Sequence, residues 1–117
     1  MKNLDTIPVE ITHNGSTHVQ RLIRPNENHP GDIATINYAW LEPQKQLTVH
    51  SHPDGEEFYF FIDGAGDMLA NGSWVNVKKG TFITVPIGSD HSVKNTGLPP
   101  LCFVTIRTLH KSLKNPL

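Results

Sequence analysis

Two histidines separated by one residue are the first feature of this sequence that could do chemistry. His50 and His52 lie in a run of strand-forming residues, 46–52, and successive side chains of a strand point to opposite faces. The two imidazoles therefore project from one face, roughly 7 Å apart along the strand. Histidine is the commonest metal ligand in proteins, so the pair could hold one metal ion.

Further ligands follow this pair along the chain. The turn at 53–56 leads into the next run, where Glu56 or Glu57 could bring a carboxylate back beside the imidazoles. His91 follows the loop 86–90 and could add a third imidazole. Imidazole nitrogens together with a carboxylate oxygen predict a cofactor of one divalent transition metal: Mn, Fe, Ni, Co, Cu or Zn.

Short β-strands separated by turns must position these residues. Turn signals are frequent, and Asn71-Gly72 is a dipeptide favoured in two-residue hairpins because both residues accept positive φ. The alternating and apolar runs predict about nine strands: 17–23, 33–41, 46–52, 58–62, 67–70, 74–77, 82–85, 91–94 and 101–106. The first is predicted to be an edge strand. The set indicates an all-β antiparallel barrel or sandwich of the jelly-roll kind.

Composition excludes several classes of function. The 117 residues fit one domain, 1–117, and a net charge of -1 leaves no broad basic surface to neutralise nucleic-acid phosphates. No run approaches the roughly 18 apolar residues of a membrane-spanning helix, and the first residues contain no signal-like apolar stretch. We therefore expect a cytoplasmic protein without nucleic-acid or membrane partners. The single cysteine, Cys102, lies in the apolar run 101–104 and is predicted to be a buried structural thiol.

Two spaced motifs cover the middle of the chain. The first, G-x5-H-x-H-x3,4-E-x6-G, spans 44–64 and is matched by His50, His52, Glu57 and Gly64. The second, G-x5-P-x-G-x2-H-x3-N, spans 80–95 and is matched by Gly80, Pro86, Gly88, His91 and Asn95. The one departure is Gln44, where the first motif has glycine. By these motifs the sequence resembles the cupin family.

The resemblance implies a fold and a ligand set. It implies an all-β, double-stranded β-helix (jelly-roll) barrel built from a single cupin domain. It also implies four metal ligands: His50, His52, Glu57 and His91. Glu57 is favoured over Glu56, because Glu56 would leave the spacing to Gly64 one residue too long. Asn95 is expected to close backbone hydrogen bonds at a turn.

Alternation along 58–62 also predicts what surrounds the ligands. Tyr59 and Phe61 share a face with Glu57, which indicates an aromatic-lined cavity in which Tyr59 is a candidate acid/base. Other inward candidates are Trp40 or Tyr38, Met68, Phe82 and Phe103. The histidines outside the motifs are expected to be solvated: His13, His18, His29 and His110.

The opposite face of the same run carries Phe58, Phe60 and Ile62, which need cover from water. The segment 19–23 or a partner subunit could supply it. We expect a two-fold homodimer, the commonest oligomeric symmetry.

Three functions are compatible with these residues. The first is a metal-dependent enzyme of dioxygenase, isomerase, lyase or decarboxylase type acting on a small organic substrate, activities that the resemblance to cupins implies. The second is a non-catalytic module that binds a sugar or other small ligand, and the third is a structural dimer with a vestigial site. The intact ligand set argues against the third. Lys78, Lys79 and Lys94 are candidates to clamp a phosphate or carboxylate, and the sequence favours the enzyme over the binding module only slightly.

Overall fold

The computed structural model describes residues 1–25, 27 and 31–109, and β-strands are the regular elements of that part of the chain. The strands are β1 (Val9–Thr12), β2 (Thr17–Ile23), β3 (Ile33–Leu41), β4 (Glu57–Asp63), β5 (Ala65–Ala70), β6 (Ser73–Lys78), β7 (Phe82–Val85), β8 (Ser92–Asn95) and β9 (Leu101–Thr108). The predicted all-β class is confirmed. None of the described residues belongs to a helix long and apolar enough to cross a membrane.

The strands form two antiparallel sheets that pack face to face as a double-stranded β-helix. The larger sheet has the order β1-β2-β3-β9-β4-β7 and the smaller one the order β6-β5-β8. The segment 45–50 extends the smaller sheet along β8 through backbone hydrogen bonds, among them Leu47 N to Val93 O at 2.9 Å. The prediction of a regular strand at 46–52 is wrong, because this segment forms only the isolated bridges Gln46–Lys94 and His50–His91.

The N-terminal edge differs from expectation. The predicted edge strand is β2, and it lies inside the sheet between β1 and β3. The missed strand β1 has only four residues, and Val9 and Ile11 on it are exposed. A strand that buries little apolar surface leaves little hydrophobic signal in the sequence.

Inward side chains of the larger sheet form rows across β2, β3, β9 and β4. One row consists of Val19, Ala39, Phe103 and Phe61. The next consists of Arg21, Asn37, Thr105 and Tyr59, and the one after it of Thr35, Arg107 and Glu57. The inner face thus changes from apolar to polar along the strands. The apolar rows form the core and the polar rows line a cavity at one end.

The core lies between the two sheets. Phe61, Phe103 and Met68 are fully buried there, which confirms Met68 and Phe103 as inward residues. Three other inward candidates are wrong. Phe82 is exposed, and Tyr38 and Trp40 pair with the outward residues Val104 and Cys102, because the inward face of β3 belongs to the odd-numbered residues from 35 to 41. Cys102 is likewise half-buried on the outer face, so its prediction as a buried thiol is wrong.

Two motif residues shape the backbone around the site. Gln44 has a φ of 67°, the left-handed conformation that glycine adopts most readily, so the backbone keeps a glycine-like shape without the glycine. The buried Asn95 amide donates to the carbonyls of Leu41 and Pro99, each at 2.9 Å, and its Oδ1 accepts from Gly97 N. The expected turn-closing role of Asn95 is confirmed.

Candidate metal centre

The four predicted ligands meet at the polar end of the barrel. One ligand atom from each of His50, His52, Glu57 and His91 lies within 4.8 Å of the other three. His91 and Glu57 are buried, whereas His50 and His52 are partly accessible from the cavity. The structure therefore brings together all four residues that the motifs indicated.

Backbone pairing sets two of these positions. His50 and His91 exchange hydrogen bonds from N to O of 3.0 and 2.9 Å, so their side chains point to the same face of the sheet. Their ring centroids are 4.1 Å apart. Glu57, the first residue of β4, reaches the same point from the opposite sheet.

Hydrogen bonds fix which ring nitrogens are available. His50 Nδ1 lies 2.8 Å from Thr48 O, and His91 Nδ1 lies 3.1 Å from Ser89 O. A carbonyl only accepts, so both Nδ1 atoms carry the proton that they donate. In the neutral rings the lone pair is then on Nε2, the arrangement expected of a metal-ligating histidine with its other nitrogen bound to a carbonyl.

Distances at Glu57 test whether these groups fit a metal. Glu57 Oε1 lies 3.0 Å from His91 Nε2 and 3.3 Å from His52 Nε2. An oxygen and a nitrogen each about 2.1 Å from one ion, at a right angle, are about 3 Å apart. His91 Nε2 faces the carboxylate directly, and a cation shared by the two atoms fits that arrangement. The donor set fits a divalent transition metal.

The site changes the titration of two of its groups. Burial lowers the pKa of His50 to about 4, although its bond to Thr48 O opposes this and the neighbouring imidazoles add to it. Burial would raise the pKa of Glu57, but hydrogen bonds and charge from His52 and His91 outweigh it and lower that pKa to about 2. Near neutral pH the site therefore presents a neutral His50 and an ionised Glu57, the forms that bind metal.

We expect the metal-free protein to lose stability on acidification. The pKa of His50 is lower in the folded chain (about 4) than the ordinary value of 6.5, so the unfolded chain binds more protons between these pH values and stability falls as pH falls through them. Allowing for the partly exposed ring, the free energy of unfolding should decrease by about 1 kcal/mol from pH 7 to pH 5. Urea unfolding at pH 7 and pH 5, with a chelator present, measures this decrease in the free energy of unfolding.

The control is His50→Gln, which removes this titration and should reduce the loss of stability over the same interval. Burial also lowers the pKa of His13, so a smaller decrease should remain. Glu57 contributes in the same direction, but only as pH falls from 4.5 toward 2. Equal pH dependence in the two proteins between pH 7 and 5 would show that His50 is not responsible.

Tyr59 is in the cavity wall, in edge contact with His91 at a centroid distance of 5.7 Å. Burial, and secondly the charge of Glu57 and a hydrogen bond to it, raise the pKa of Tyr59 well above its ordinary value. A phenol with a raised pKa is a weaker acid, and it serves as a hydrogen-bond donor to the carboxylate. The acid/base role of Tyr59 stays a prediction.

The cavity beside the four ligands has a volume of about 220 Å³. Tyr59 and Phe103 line it, but polar and charged residues line it as well: Thr12, Thr17, Arg21, Thr35, Asn37, Thr105 and Arg107. The expected aromatic lining is therefore only partly present. Arg21 and Arg107 lie outside both motifs, which is why inspection of the motifs alone missed them.

A fourth histidine also lies at the site. His13 lines the cavity, its ring is 4.7 Å from that of His50, and its Nδ1 is 2.6 Å from Thr48 Oγ1. The prediction that it is solvated is wrong, because the turn between β1 and β2 carries it over the site. His18 is also half-buried, stacked on Trp40 at 5.0 Å, while His29 and His110 fall outside the described residues. No motif spacing marks His13.

Known proteins resemble this chain in both sequence and fold. The family model described as Cupin domain matches residues 37–107, which include all four candidate ligands. An uncharacterized protein of Methanocaldococcus jannaschii is 31% identical over 97 residues, covering 83% of this chain and 76% of that protein. The oxalate-binding protein of Thermotoga maritima is 32% identical over 66 residues, covering 56% of this chain and 54% of that protein.

A solved structure shows the same fold. It is described as a predicted oxalate decarboxylase from Thermotoga maritima, and it superposes with a TM-score of 0.85 at 24% identity over 94% of this chain and 99% of that one. With the family match, the motif spacings and the double-stranded β-helix in agreement, this chain belongs to the cupin family.

Proposed function

We propose that this cupin is a metal-dependent enzyme that acts on a small organic molecule. The observation that carries the proposal is the convergence of one ring nitrogen from each of three histidines and a Glu57 carboxylate oxygen, all within 4.8 Å of one another, beside an accessible cavity. His50, His52, Glu57 and His91 would hold one divalent transition metal. When bound, the metal supplies Lewis-acid chemistry or, if redox-active, electron transfer to the ligand in the cavity.

The protein's own groups would prepare this site. Three neutral imidazoles leave the carboxylate as the ligand that offsets charge, so a divalent ion would keep about one positive charge toward the cavity. Thr48 O and Ser89 O hold two of the rings by their Nδ1 atoms.

The test is the metal content of protein purified without an affinity tag. Elemental analysis should give close to one transition-metal ion per chain, and the chelated protein should take up one equivalent again in a calorimetric titration. Protein that is metal-free as purified and takes up no Mn, Fe, Co, Ni, Cu or Zn would contradict the proposal.

A non-catalytic module that binds a small ligand is the second candidate. It is supported by Tyr59, whose raised pKa makes it a weak proton donor, and by the printed name of the oxalate-binding relative. Incubation of metal-loaded protein with a panel of hydroxy acids, diketones, catechols and sugars, followed by NMR and oxygen uptake, separates the two. Conversion favours the enzyme, and binding without conversion favours the module.

We also propose that the chain forms a homodimer through the outer face of the larger sheet. Phe60, Ile62 and Phe82 are exposed on β4 and β7, and Phe82 stacks on Phe58 at 5.9 Å. Residues 19–23 cannot cover this patch, because β2 lies three strands away from β4 in the sheet. A second copy of the same face would remove the apolar surface from water.

Light scattering should therefore give about twice the 13.0 kDa mass of the chain. Phe60→Asp should shift the mass toward one chain, because a charge in an apolar interface is costly. Val75→Asp is the matched control: Val75 is 42% exposed and Phe60 43%, but Val75 lies on the smaller sheet. A wild-type mass of one chain at micromolar concentration contradicts the proposal. The cytoplasmic location and the lack of nucleic-acid and membrane partners stay predictions.

A further inference from the structure

Two arginines line the cavity opposite the histidine side of the metal centre. Arg107 on β9 lies directly across from Glu57 in the β4–β9 pair, and Arg21 lies on β2, two strands beyond β9. Both side chains are largely shielded from solvent, with 18% exposure for Arg107 and 23% for Arg21. Arginine so placed presents planar donors suited to a carboxylate or phosphate.

Charges around the arginines leave part of this capacity unused. Arg107 Nη1 binds Asp54 Oδ1 at 3.1 Å, a bond that uses one of its several N–H donors. Glu10 approaches Arg21 Nε at 3.6 Å but makes its shorter contact, 2.7 Å, with Arg24. Of the side chains that line the cavity, Arg21 and Arg107 are the cations and Glu57 is the acid. Their acidic neighbours Asp54 and Glu10 do not line the cavity, so the two guanidinium groups are the positive groups on its inner surface.

Unpaired polar atoms lie in the same wall. Thr12 Oγ1 and Asn37 Oδ1 belong to residues that line the cavity, and both atoms are buried without a hydrogen-bond partner in the described part of the chain. Asn37 pairs with Arg21 across β2 and β3, so the two occupy one row. Buried polar atoms are nearly always paired in proteins, so hydrogen-bonding capacity remains unused in these two residues.

We propose that the cavity binds a small molecule with two functional ends, of which the second is a carboxylate or phosphate held by Arg21 and Arg107. The first end is an oxygen-donor group that reaches the metal centre, and this part of the proposal rests on the proposed metal function. Arg21 is separated from Glu57 by three strand spacings of about 4.8 Å each, so several bonds separate the two ends of the ligand.

Matched acids test the anionic end. Glutarate and pentanoate have the same chain length and differ in the second carboxylate, while 3-phosphoglycerate and glycerate differ in the phosphate. Calorimetry on chelator-treated wild type should show at least tenfold tighter binding of the member with the second anionic group, in one pair or both. Preference within only one pair identifies the anion as carboxylate or phosphate, and preference within both means that the arginines accept either. Equal binding within both pairs overturns the proposal.

The variants are Arg21→Gln and its control Arg24→Gln. Both remove one positive charge beside Glu10, but only Arg21 lines the cavity. We expect Arg21→Gln to reduce the preference to less than threefold and Arg24→Gln to retain it. If the two variants lose the preference equally, the proposal is overturned, because the loss would then come from the change in net charge and not from the removal of a cavity-lining arginine.

Zinc titration of the same proteins separates this inference from the metal function. Zn²⁺ is the probe because it has no redox chemistry. Arg21→Gln should bind Zn²⁺ as wild type does, since Arg21 contacts none of the four ligands. An anion preference in protein that binds no metal would support the arginine site and contradict the metal function. Zinc binding without an anion preference would support the metal function and contradict the arginine site.

Discussion

Replacing His91 by alanine is expected to weaken metal binding at least 100-fold. His91 is fully buried, so its Nε2 is held in place beside Glu57 Oε1. Loss of hydrogen-bonding partners around metal ligands alone typically costs 10- to 100-fold in affinity, and loss of a ligand should cost more. Elemental analysis and competition with a fluorescent zinc chelator measure the effect.

The matched control is His18→Ala. His18 is half-buried and stacked on Trp40, but it belongs to the outer face of β2 and contacts none of the four ligands. Its variant should keep the metal content of wild type. Circular dichroism on both variants shows whether each is folded. A folded His91→Ala protein with unchanged metal affinity would remove His91 from the ligand set.

Replacing Gly66 by alanine is expected to destabilise the fold by about 4 kcal/mol or more. Gly66 lies inside β5, where an added Cβ would be 2.2 Å from Lys94 O and 2.8 Å from a methyl of Leu101. The carbonyl belongs to the neighbouring strand β8 and cannot move without breaking the ladder that continues to His91. Since a domain of this size is stable by only about 5–15 kcal/mol, much of the protein should unfold at moderate temperature.

Gly72→Ala gives the contrast. Gly72 has a φ of 83° in the hairpin turn, but nothing lies within 4 Å of its added Cβ, so alanine there meets only backbone strain of about 1 kcal/mol. Thermal unfolding measures the stability lost in each variant. The loss in Gly66→Ala reports the close approach of two backbones, and the loss in Gly72→Ala reports backbone strain alone. A Gly66→Ala protein as stable as Gly72→Ala would show that β5 and β8 can separate at little cost.

Gly66 also shows where sequence reasoning reaches its limit. Its position beside Gly64 resembles a turn signal, and Gly64 does adopt a positive φ of 85°. Gly66 instead is in a strand, and the reason it must be glycine is the backbone of β8, far away along the chain. Local propensity describes a residue's own conformational freedom and contains no information about which strand will lie against it.

The sequence by itself indicated the all-β class and the inward face of β4, because these follow from turn signals and from alternation along one strand. Its resemblance to the cupin motifs indicated the four candidate ligands. The tertiary structure alone decided the rest of the cavity. Arg21, Arg107 and His13 come from β2, β9 and the turn after β1, and they meet only through the register β2-β3-β9-β4. Register between strands distant in sequence is set by packing of the whole barrel, so the polar cavity wall with its two arginines could not be inferred from the motifs.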